Sequence, residues 1–462
     1  MSHLRHSLAA ALALGLAACG SEPEPQPWGV AETDLDVVDW IDAEYAAGRE
    51  PRFANPVDAA AAEYVKLAIA LGRVDQGFVD AYHGPQFWDD GIKDVDPDPA
   101  FFLDNFKRLR DQLNQIAPQS EADEIRVEQM KKLVRAMQRR VRIVNDDPPT
   151  FRVEAAAVYD VRVPDYDLSE YDAVLAEIDA LLPGEGTTAE RVVAFRDSLA
   201  IPEDRLQAVF DRAIEECRTR TQAYYDLPEG ERFRMEFVTD KSWSGYNYYQ
   251  GDYESLIQIN TDFPIVIDRA VDLGCHEGYP GHHVWNLFIE SELVRERGWL
   301  EYSVNPLFSP FGPIAEGSAN YGIDLAFPGE EKIAFERDVL FPMAGLDPAK
   351  AETLATLMML KGELSHATNE VARRLLNGEI TGEAALPLMQ KYYLESEEKT
   401  RQRLRFVRTY RAYVINYNIG KDYARDYVEA AGEEPDARWA AFKEMLTRPM
   451  TASDIDEALG RE

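Results

Sequence analysis

One stretch in the second half of the chain decides its organisation: His276-Glu277-Gly278-Tyr279-Pro280-Gly281-His282-His283. Three of the seven histidines of the chain lie in this stretch. A neutral imidazole is the side chain that proteins most often use to bind a metal. Because a hydrolytic zinc site combines imidazoles with a neighbouring carboxylate, the stretch predicts a metal-dependent hydrolase.

Helix geometry limits which histidines can share one ion. In an unbroken helix His282 would lie about 240° around the axis from His276, at about 100° per residue. Pro280 does not fit a regular helix interior, whereas Gly281 can adopt backbone angles closed to other residues. If these two residues form a bulge that adds no net turn, His282 takes the place of the second histidine in an H-E-x-x-H helix.

His283 remains the alternative ligand. It lies on the same helix face as His276, but about 10 Å further along a straight helix at about 1.5 Å per residue. The geometry therefore favours the pair His276 and His282 and keeps His283 as a substitute for His282.

Hydrophobic periodicity predicts a mostly α fold with a small β-sheet beside the helix that carries the histidine motif. Two segments, Arg232–Val238 and 255–260, read as short strands. We expect an N-terminal helical lobe at 36–230 and a catalytic lobe at 231–462. The segments with helical spacing are 59–82, 101–116, 122–144, 189–199, 202–225, 265–287, 314–326, 348–376 and 383–431.

The first residues have the composition of a bacterial lipoprotein signal. A short basic start precedes an apolar stretch at 8–18, which is shorter than the roughly 20 residues that span a bilayer. Leu16-Ala17-Ala18-Cys19 matches a lipobox, in which Cys19 is lipidated and becomes the new N-terminus. We predict a signal peptide at 1–18, a lipidated N-terminus with a flexible tether at 19–35, and a lipid-anchored location in the cell envelope, facing the periplasm or cell surface. An ordinary secretory signal with a chance cysteine is the alternative.

Composition restricts the partners of the protein. Acidic residues outnumber basic ones by 83 to 49, so the formal charge is -34, and it becomes -35 when Arg5 leaves with the signal peptide. Such a field disfavours nucleic acid and anionic headgroups, so the predicted membrane contact is the anchor at Cys19 alone. Cys217 and Cys275 would remain, too few for a disulfide framework, although one bridge between them stays open.

Four segments resemble the bacterial domain-of-unknown-function family 885, which is grouped with the gluzincin-type zinc peptidases. The resemblance covers roughly residues 230–430 and implies a large helical, zinc-peptidase-like fold. At two positions the chain departs from the family pattern: Ser318 replaces Trp and Asn320 replaces Leu. The segments are the strand ending at Asn260, the motif at 276–283, the segment 313–321, similar to an E-G-W-A-L-Y helix, and the segment 416–420, similar to an S-Y-x-x-G element.

The resemblance and the chemistry together imply roles for individual residues. We expect one zinc ion per chain, bound by His276, His282 and Glu316, with a position left open for water. Glu277 is the expected general base, which takes a proton from the attacking water and passes it to the leaving amine. Asn320 lies one turn beyond Glu316, so its amide oxygen could accept the far N–H of a metal-binding histidine.

Other expected roles concern the substrate. Tyr417 is the expected donor to the developing oxyanion, although its spacing from Tyr410 and Tyr413 is also typical of a core stripe. Arg411 and Lys421 are the expected holders of a substrate carboxylate.

The aromatic, glycine-punctuated segment 243–251 is expected to be a loop. We expect its Tyr246 and Tyr248 to line the substrate cleft, with packing between lobes as the alternative. If the strand ending at Asn260 lies at an exposed sheet edge, a peptide could pair with it. Adjacent residues of a helix point in different directions, so Cys275 would not face the same ion as His276. We expect it to be a small buried residue rather than a ligand.

These observations predict a zinc-dependent metallohydrolase, in first place a peptidase acting on peptide substrates. Two alternatives remain open at this stage. One is a catalytically inactive metal- or peptide-binding lipoprotein, and the other is a hydrolase of non-peptide amides or esters at the same ion.

Overall fold

The computed structural model describes residues 36–92 and 97–461. The predicted signal peptide, Cys19 and the tether lie outside these described residues. The described residues divide into two compact units: the first is 36–92 and 97–147 with Ile289–Leu307, and the second is Pro148–Phe288 with 308–461. This boundary does not coincide with the predicted division at residue 230, because residues 148–230 belong to the second unit.

The first unit consists of amphipathic helices and a two-stranded sheet. The helix Pro56–Val74 begins after Asn55, whose side chain accepts the N–H of Val57 at 2.9 Å. Strands β1 (Val79–Tyr82) and β5 (Val304–Pro306) pair antiparallel. The helices are α1 (Val37–Ala46), α2 (Pro56–Val74), α3 (Gln86–Ile92), α4 (Pro99–Leu113) and α5 (Glu121–Val144), followed after the return of the chain by the π-helical Ile289–Glu296 and the 3-10 helix Leu300–Ser303.

A buried ion pair fixes the returning segment within this unit. Arg126 donates to both carboxylate oxygens of Glu301 at 2.6 and 2.8 Å, and also to Asp58 at 2.7 Å. The Glu301 side chain is fully buried, so removing Arg126 would leave an uncompensated charge inside the protein.

The second unit contains the histidine motif, the three-stranded sheet and most of the helices. The prediction of a mostly α fold with a small sheet beside the motif is confirmed. Among residues 36–92 and 97–461, the helices are too short or too polar to cross a bilayer. The helices of this unit are α6 (Phe151–Val158), α7 (Asp172–Leu181), α8 (Thr188–Asp197), α9 (Leu206–Gln222), α10 (Asp268–Leu273), α11 (His282–Phe288), α12 (Gly312–Ala326), α13 (Glu331–Phe335), α14 (Phe341–Ala344), α15 (Ala351–Glu363), α16 (Ser365–Leu376), α17 (Gly382–Tyr393), α18 (Glu397–Tyr410), α19 (Ile419–Glu429), α20 (Pro435–Thr447) and α21 (Ala452–Ala458).

Shorter helical segments join these elements. They are the 3-10 helices Leu168–Tyr171, Glu203–Arg205, Pro348–Lys350 and Arg411–Asn416, and the π-helical segments Gly274–Gly278 and Glu336–Leu340.

The three-stranded sheet has the order β2-β4-β3. Its strands are β2 (Arg232–Val238), β3 (Gly245–Gly251) and β4 (Glu254–Asn260). β4 pairs parallel with β2 and antiparallel with β3, so it is the central strand. The expectation that 255–260 lies at an exposed edge is therefore wrong, because both sides of this strand are already hydrogen-bonded.

Segment 243–251 also differs from its prediction. Gly245–Gly251 forms strand β3 instead of a loop, because its tyrosines favour extended structure more than its glycines oppose it. Side chains alternate along the strand: Asn247 and Tyr249 are buried, whereas Tyr246 and Tyr248 point to the other face.

A disulfide joins Cys217 on α9 to Cys275 in the π-helical segment, with a Cα–Cα distance of 5.5 Å. The bridge that the sequence leaves open is therefore formed. Both residues are fully buried, and Cys275 is not a metal ligand in this arrangement, as expected. The crosslink fixes the residue that directly precedes His276 to a long helix.

We predict that replacing both Cys217 and Cys275 by alanine lowers the free energy of unfolding. The crosslinked residues are 58 positions apart, so chain entropy alone gives a loss of about 4 kcal/mol. Urea unfolding measures this loss. Reductant should bring the wild-type protein to the stability of the double variant and leave the variant unchanged. Wild-type protein that is indifferent to reductant would contradict the bridge.

Candidate metal centre

The histidine motif lies where one helix ends and another begins. α10 continues into the π-helical segment Gly274–Gly278, the chain bends through Tyr279, Pro280 and Gly281, and α11 starts at His282. The N–H of Gly281 donates to the carbonyl oxygen of Cys275 at 3.0 Å. The expected proline–glycine bulge is thus present, in the form of a widened helical turn followed by a bend.

Glycine is required at position 281 by close backbone contacts. A Cβ at this position would lie 1.9 Å from the carbonyl oxygen of His276 and 2.5 Å from that of Cys275. Both contacts are with backbone, which cannot move aside as a flexible side chain would. Only glycine therefore lets the chain fold back closely enough to bring His282 beside His276.

Three ligand-type side chains converge at this bend: His276, His282 and Glu316, with ligand atoms that all lie within 4.8 Å of one another. Glu316 Oε2 is 3.3 Å from Nε2 of His276 and 3.7 Å from Nε2 of His282. Donors held about 2 Å from one tetrahedral zinc ion lie about 3.3 Å apart, so these distances suit a shared ion. The structure brings together the three residues expected as ligands.

Glu316 has the environment of a metal ligand. Its Oε2 atom is buried and makes no hydrogen bond, which is unfavourable unless a cation compensates it. Burial opposes ionisation, but the neighbouring imidazoles of His276 and His282 outweigh it and hold the pKa of Glu316 well below its usual range. The carboxylate is therefore ionised, and the donor set of two imidazoles and one carboxylate fits zinc.

Two glycines allow Glu316 to reach the histidines. A Cβ on Gly317 of α12 would lie 2.1 Å from the carbonyl oxygen of Gly420 on α19, and a Cβ on Gly420 would lie 2.1 Å from that of Pro313. The two helices thus meet backbone to backbone. This contact joins the two downstream segments that the resemblance singles out, 313–321 and 416–420.

Asn320 lies against the far side of the His276 ring, where the sequence predicts it. Its Oδ1 lies 3.0 Å from Nδ1 of His276, so the amide oxygen accepts that N–H and leaves Nε2 free for a metal. Its Nδ2 donates to the carbonyl oxygen of Tyr417 at 2.9 Å. One side chain therefore fixes the ring of His276 and the position of Tyr417.

His283 lies away from the three converging ligands. Its Nδ1 is 2.8 Å from Ser255 Oγ and its Nε2 is 3.1 Å from Glu231 Oε2. Burial lowers the pKa of His283, so the neutral ring donates to Glu231 and accepts from Ser255. Both ring nitrogens are engaged, and the structure brings His282 rather than His283 to the candidate centre.

Glu277 is buried beside the ligands, with 4% of its surface exposed. Its backbone carbonyl accepts a hydrogen bond from Nδ2 of Asn247 at 2.7 Å. A Cβ on Gly245 would lie 2.8 Å from Glu277 Oε1, so this glycine leaves space for the carboxylate. Asn247 and Gly245 were not identified from the sequence, because no motif marks a strand residue that supports a neighbouring helix.

Tyr417 is near both carboxylates of the site. Burial and the charges of Glu316 and Glu277 raise its pKa well above the usual value, so its hydroxyl stays a donor at neutral pH. The residue nevertheless keeps 37% of its surface exposed.

Tyr413 has a role that sequence reasoning missed. Its hydroxyl donates to Glu316 Oε1 and so orients the carboxylate from the side opposite the histidines. The spacing of Tyr410, Tyr413 and Tyr417 had marked it only as a member of a core stripe, and it is indeed buried.

Both expected holders of a substrate carboxylate pair with an acid of the protein. The guanidinium of Arg411 donates to Glu154 at 2.7 Å and to the carbonyl oxygen of Pro149 at 3.2 Å, which fixes the end of α18. The side chains of Arg411 and Glu154 are 14% and 2% exposed, so this buried pair would have to break before Arg411 could hold a substrate carboxylate. Lys421 pairs with Asp324 at 2.7 Å, but these side chains are 37% and 53% exposed, so its role stays a prediction.

The other expected substrate contacts also lie elsewhere. Tyr246 and Tyr248 stack against each other, with ring centroids 4.4 Å apart, on the sheet face opposite to Asn247. Asn260 donates to the carbonyl oxygens of Lys241 and Trp243 at 3.1 and 2.9 Å. It therefore holds the turn before β3 and is not free for a peptide.

Comparisons with known proteins give little. The sequence matches no family model and no curated protein. A solved structure described as "the putative lipoprotein from Colwellia psychrerythraea" is similar at 14% sequence identity and a TM-score of 0.48, over 79% of this chain and 71% of that chain.

We predict that His282→Ala and His283→Ala differ in metal content. Loss of His282 removes a ligand and should lower zinc affinity by more than the roughly 10–100-fold that loss of an outer partner costs. Loss of His283 should lower stability and leave close to one zinc per chain, because that ring contacts Ser255 and Glu231. Elemental analysis of the purified variants measures the zinc bound per chain. One zinc per chain in His282→Ala would contradict the proposed ligand set.

We predict that Asn320→Ala lowers zinc affinity by roughly 10–100-fold, because the ring of His276 loses its orienting acceptor. Asn320→Asp is the matched control: it keeps an oxygen for His276 Nδ1 and loses only the donor to the carbonyl of Tyr417. Competition with a zinc chelator measures both affinities. Equal affinities in Asn320→Ala and wild type would show that the bond to His276 is dispensable.

Proposed function

We propose that this protein is a zinc-dependent metallopeptidase with one ion per chain. The observation that carries the proposal is the convergence of His276, His282 and the unsatisfied oxygen of Glu316, together with the buried Glu277, which directly follows His276 in the chain. A purely structural metal site has no need of Glu277. Its presence favours hydrolysis over metal storage or peptide binding alone.

The chemistry follows from the positions of the side chains. Zinc held by His276, His282 and Glu316 would supply a Lewis acid that lets water attack at neutral pH. Glu277 accepts a proton from the attacking water and returns it to the leaving amine. Tyr417, which stays protonated, donates a hydrogen bond to the oxyanion as the carbonyl becomes tetrahedral.

The remaining contacts hold these groups in place. Tyr413 orients Glu316, and Asn320 orients His276 while holding the backbone of Tyr417. Asn247 fixes the backbone of Glu277. Fixed geometry of this kind reduces the reorganisation that the reaction would otherwise require.

Edge strand β3 is the surface that suits a peptide substrate. Its partner β4 lies on one side, and Gly245 at its start lies beside the carboxylate of Glu277. A peptide that pairs with β3 by main-chain hydrogen bonds would therefore extend towards the metal centre. We propose that a peptide substrate pairs with β3, and not with the strand at 255–260 that the sequence suggests for this role.

We also propose that the protein works in the cell envelope as a lipoprotein anchored at Cys19. The support comes from the signal sequence and lipobox at 1–19, and from the disulfide, which needs an oxidising compartment. Peptides at the periplasmic or outer surface would be its substrates. Metabolic labelling with a fatty acid tests the anchor, and Cys19→Ala should abolish the label.

We predict that Glu277→Gln cuts peptide turnover by roughly 10²–10⁴-fold, because the general base is lost. Zinc content should stay near one per chain, since Glu277 is not a ligand. Cleavage of a peptide library followed by mass spectrometry, together with elemental analysis, measures both quantities.

Glu336→Gln is a suitable control for that experiment. Glu336 is as buried as Glu277, and burial raises its pKa to about 7, so glutamine resembles its neutral form. Its partner is Lys332 at 2.8 Å, and turnover of this variant should remain within a few-fold of wild type. Equal turnover in Glu277→Gln and wild type, or no cleavage by zinc-loaded wild type, would refute the peptidase proposal.

A further inference from the structure

A stripe of side chains on α18 runs from a cluster of basic residues to the metal centre. Lys399, Arg403 and Phe406 are spaced by four and three residues, so they share one face of the helix. The ring centroid of Phe406 lies 6.3 Å from that of Tyr417. Arg403 is therefore one helical turn away from a residue that contacts the expected oxyanion donor.

The basic cluster consists of Lys361, Lys399 and Arg403 around Glu395. Arg403 and Lys399 approach the Glu395 carboxylate at 3.3 and 3.7 Å. Lys361 donates to the carbonyl oxygen of Tyr393 at 2.6 Å. Three cationic side chains thus share one carboxylate among these contacts, in a chain whose formal charge is -34.

Burial makes the charged form of both lysines of this cluster less favourable, and the neighbouring cations add to this effect. Burial and the charge of Arg196 lower the pKa of Lys361 to about 7, and Lys399 and Arg403 add to this shift. Burial also lowers the pKa of Lys399, against the attraction of Glu395. Lysines lose their preference for the charged form when the surrounding positive charge exceeds the negative charge. A second anion would offset the excess positive charge around these lysines.

The cluster is open to solvent and lies within electrostatic range of the site. The side chains of Arg403 and Lys399 are 37% and 32% exposed. The charge of Arg403 acts on the hydroxyl of Tyr417, as do those of Glu316 and Glu277. An anion bound by Arg403 would thus lie near a substrate that occupies the metal centre.

We propose that Lys361, Lys399 and Arg403 form an anion subsite that binds a carboxylate of the peptide substrate. The proposal rests on the proposed peptidase function and names its substrate class: peptides that present a carboxylate on the Tyr417 side of the scissile bond. The planar guanidinium of Arg403 already donates to the Glu395 carboxylate through Nε and Nη2, both at 3.3 Å, so the substrate carboxylate would be held by its remaining N–H groups together with Lys361 and Lys399. The cluster thereby takes the role that the sequence assigns to Arg411 and Lys421.

Binding of three peptides to the zinc-loaded Glu277→Gln protein tests the subsite without turnover. The peptides are Ala-Phe-Ala-Ala as free acid, the same sequence as C-terminal amide, and Ala-Phe-Glu-Ala as C-terminal amide. In calorimetric titrations the free acid should bind about tenfold or more tightly than its amide. Restored affinity in the glutamate peptide would identify an acidic side chain as a further source of the carboxylate. Equal affinities for all three, or no binding of any, would overturn the proposal.

Further substitutions in the Glu277→Gln protein test whether the basic cluster causes the preference for the free acid over the amide. Arg403→Gln and Lys399→Gln should each reduce the preference for the carboxylate several-fold, and Arg403→Lys should retain part of it. Arg401→Gln is the matched control, since Arg401 is on the same helix and pairs with Glu397 at 2.7 Å. It should keep the full preference. A preference that persists when both Arg403 and Lys399 are replaced would overturn the assignment.

The outcomes separate the two proposals. If the wild-type protein cleaves no peptide but the Glu277→Gln protein still distinguishes acid from amide, the peptidase proposal fails and the anion subsite stands. If the wild-type protein cleaves free acids and amides with equal KM and kcat, the subsite fails and the peptidase proposal stands.

Discussion

The candidate centre depends on one steric constraint, the close return of the chain at Gly281. Its amide bonds to the carbonyl of Cys275, at a distance that any side chain at position 281 would prevent. The contact widens the helical turn before the bend and starts a new helix at His282. Two imidazoles that a straight helix would separate around its axis therefore face the same point. The other parts of the site are arranged around that point.

A second close approach works in the same way on the opposite side. Gly317 and Gly420 let α12 and α19 touch along their backbones, which carries Glu316 towards the histidines. Once there, its carboxylate is shared between Tyr413 and the space beside both imidazoles. The three ligands are thus positioned by backbone packing, and their orientation is then fixed by single hydrogen bonds from neighbouring polar groups.

The residues expected as metal ligands converge, whereas the expected substrate contacts mostly lie elsewhere, and physical reasons explain the difference. Helix geometry relates His276 to His282 and Glu316 to Asn320, and the family resemblance relates the first pair to the second. The expected substrate contacts depend on which face of a strand points inward and which cation is already paired. Tyr246 fails because the strand places it on the wrong face, and Arg411 fails because a buried acid neutralises it. Pairings across more than 200 residues, such as that acid with Arg411, leave no local pattern.

The bridge between Cys217 and Cys275 affects more than stability, because its second cysteine directly precedes His276, one of the three candidate ligands. The first imidazole is thereby linked covalently, through one peptide bond and one pair of sulfur atoms, to a helix elsewhere in the same unit. Protein synthesised in a reducing cytosol would lack this link, and its ligand-bearing turn would be held by packing alone. Material for studies of metal binding is therefore best produced by secretion, where the thiols can oxidise before the ion is loaded.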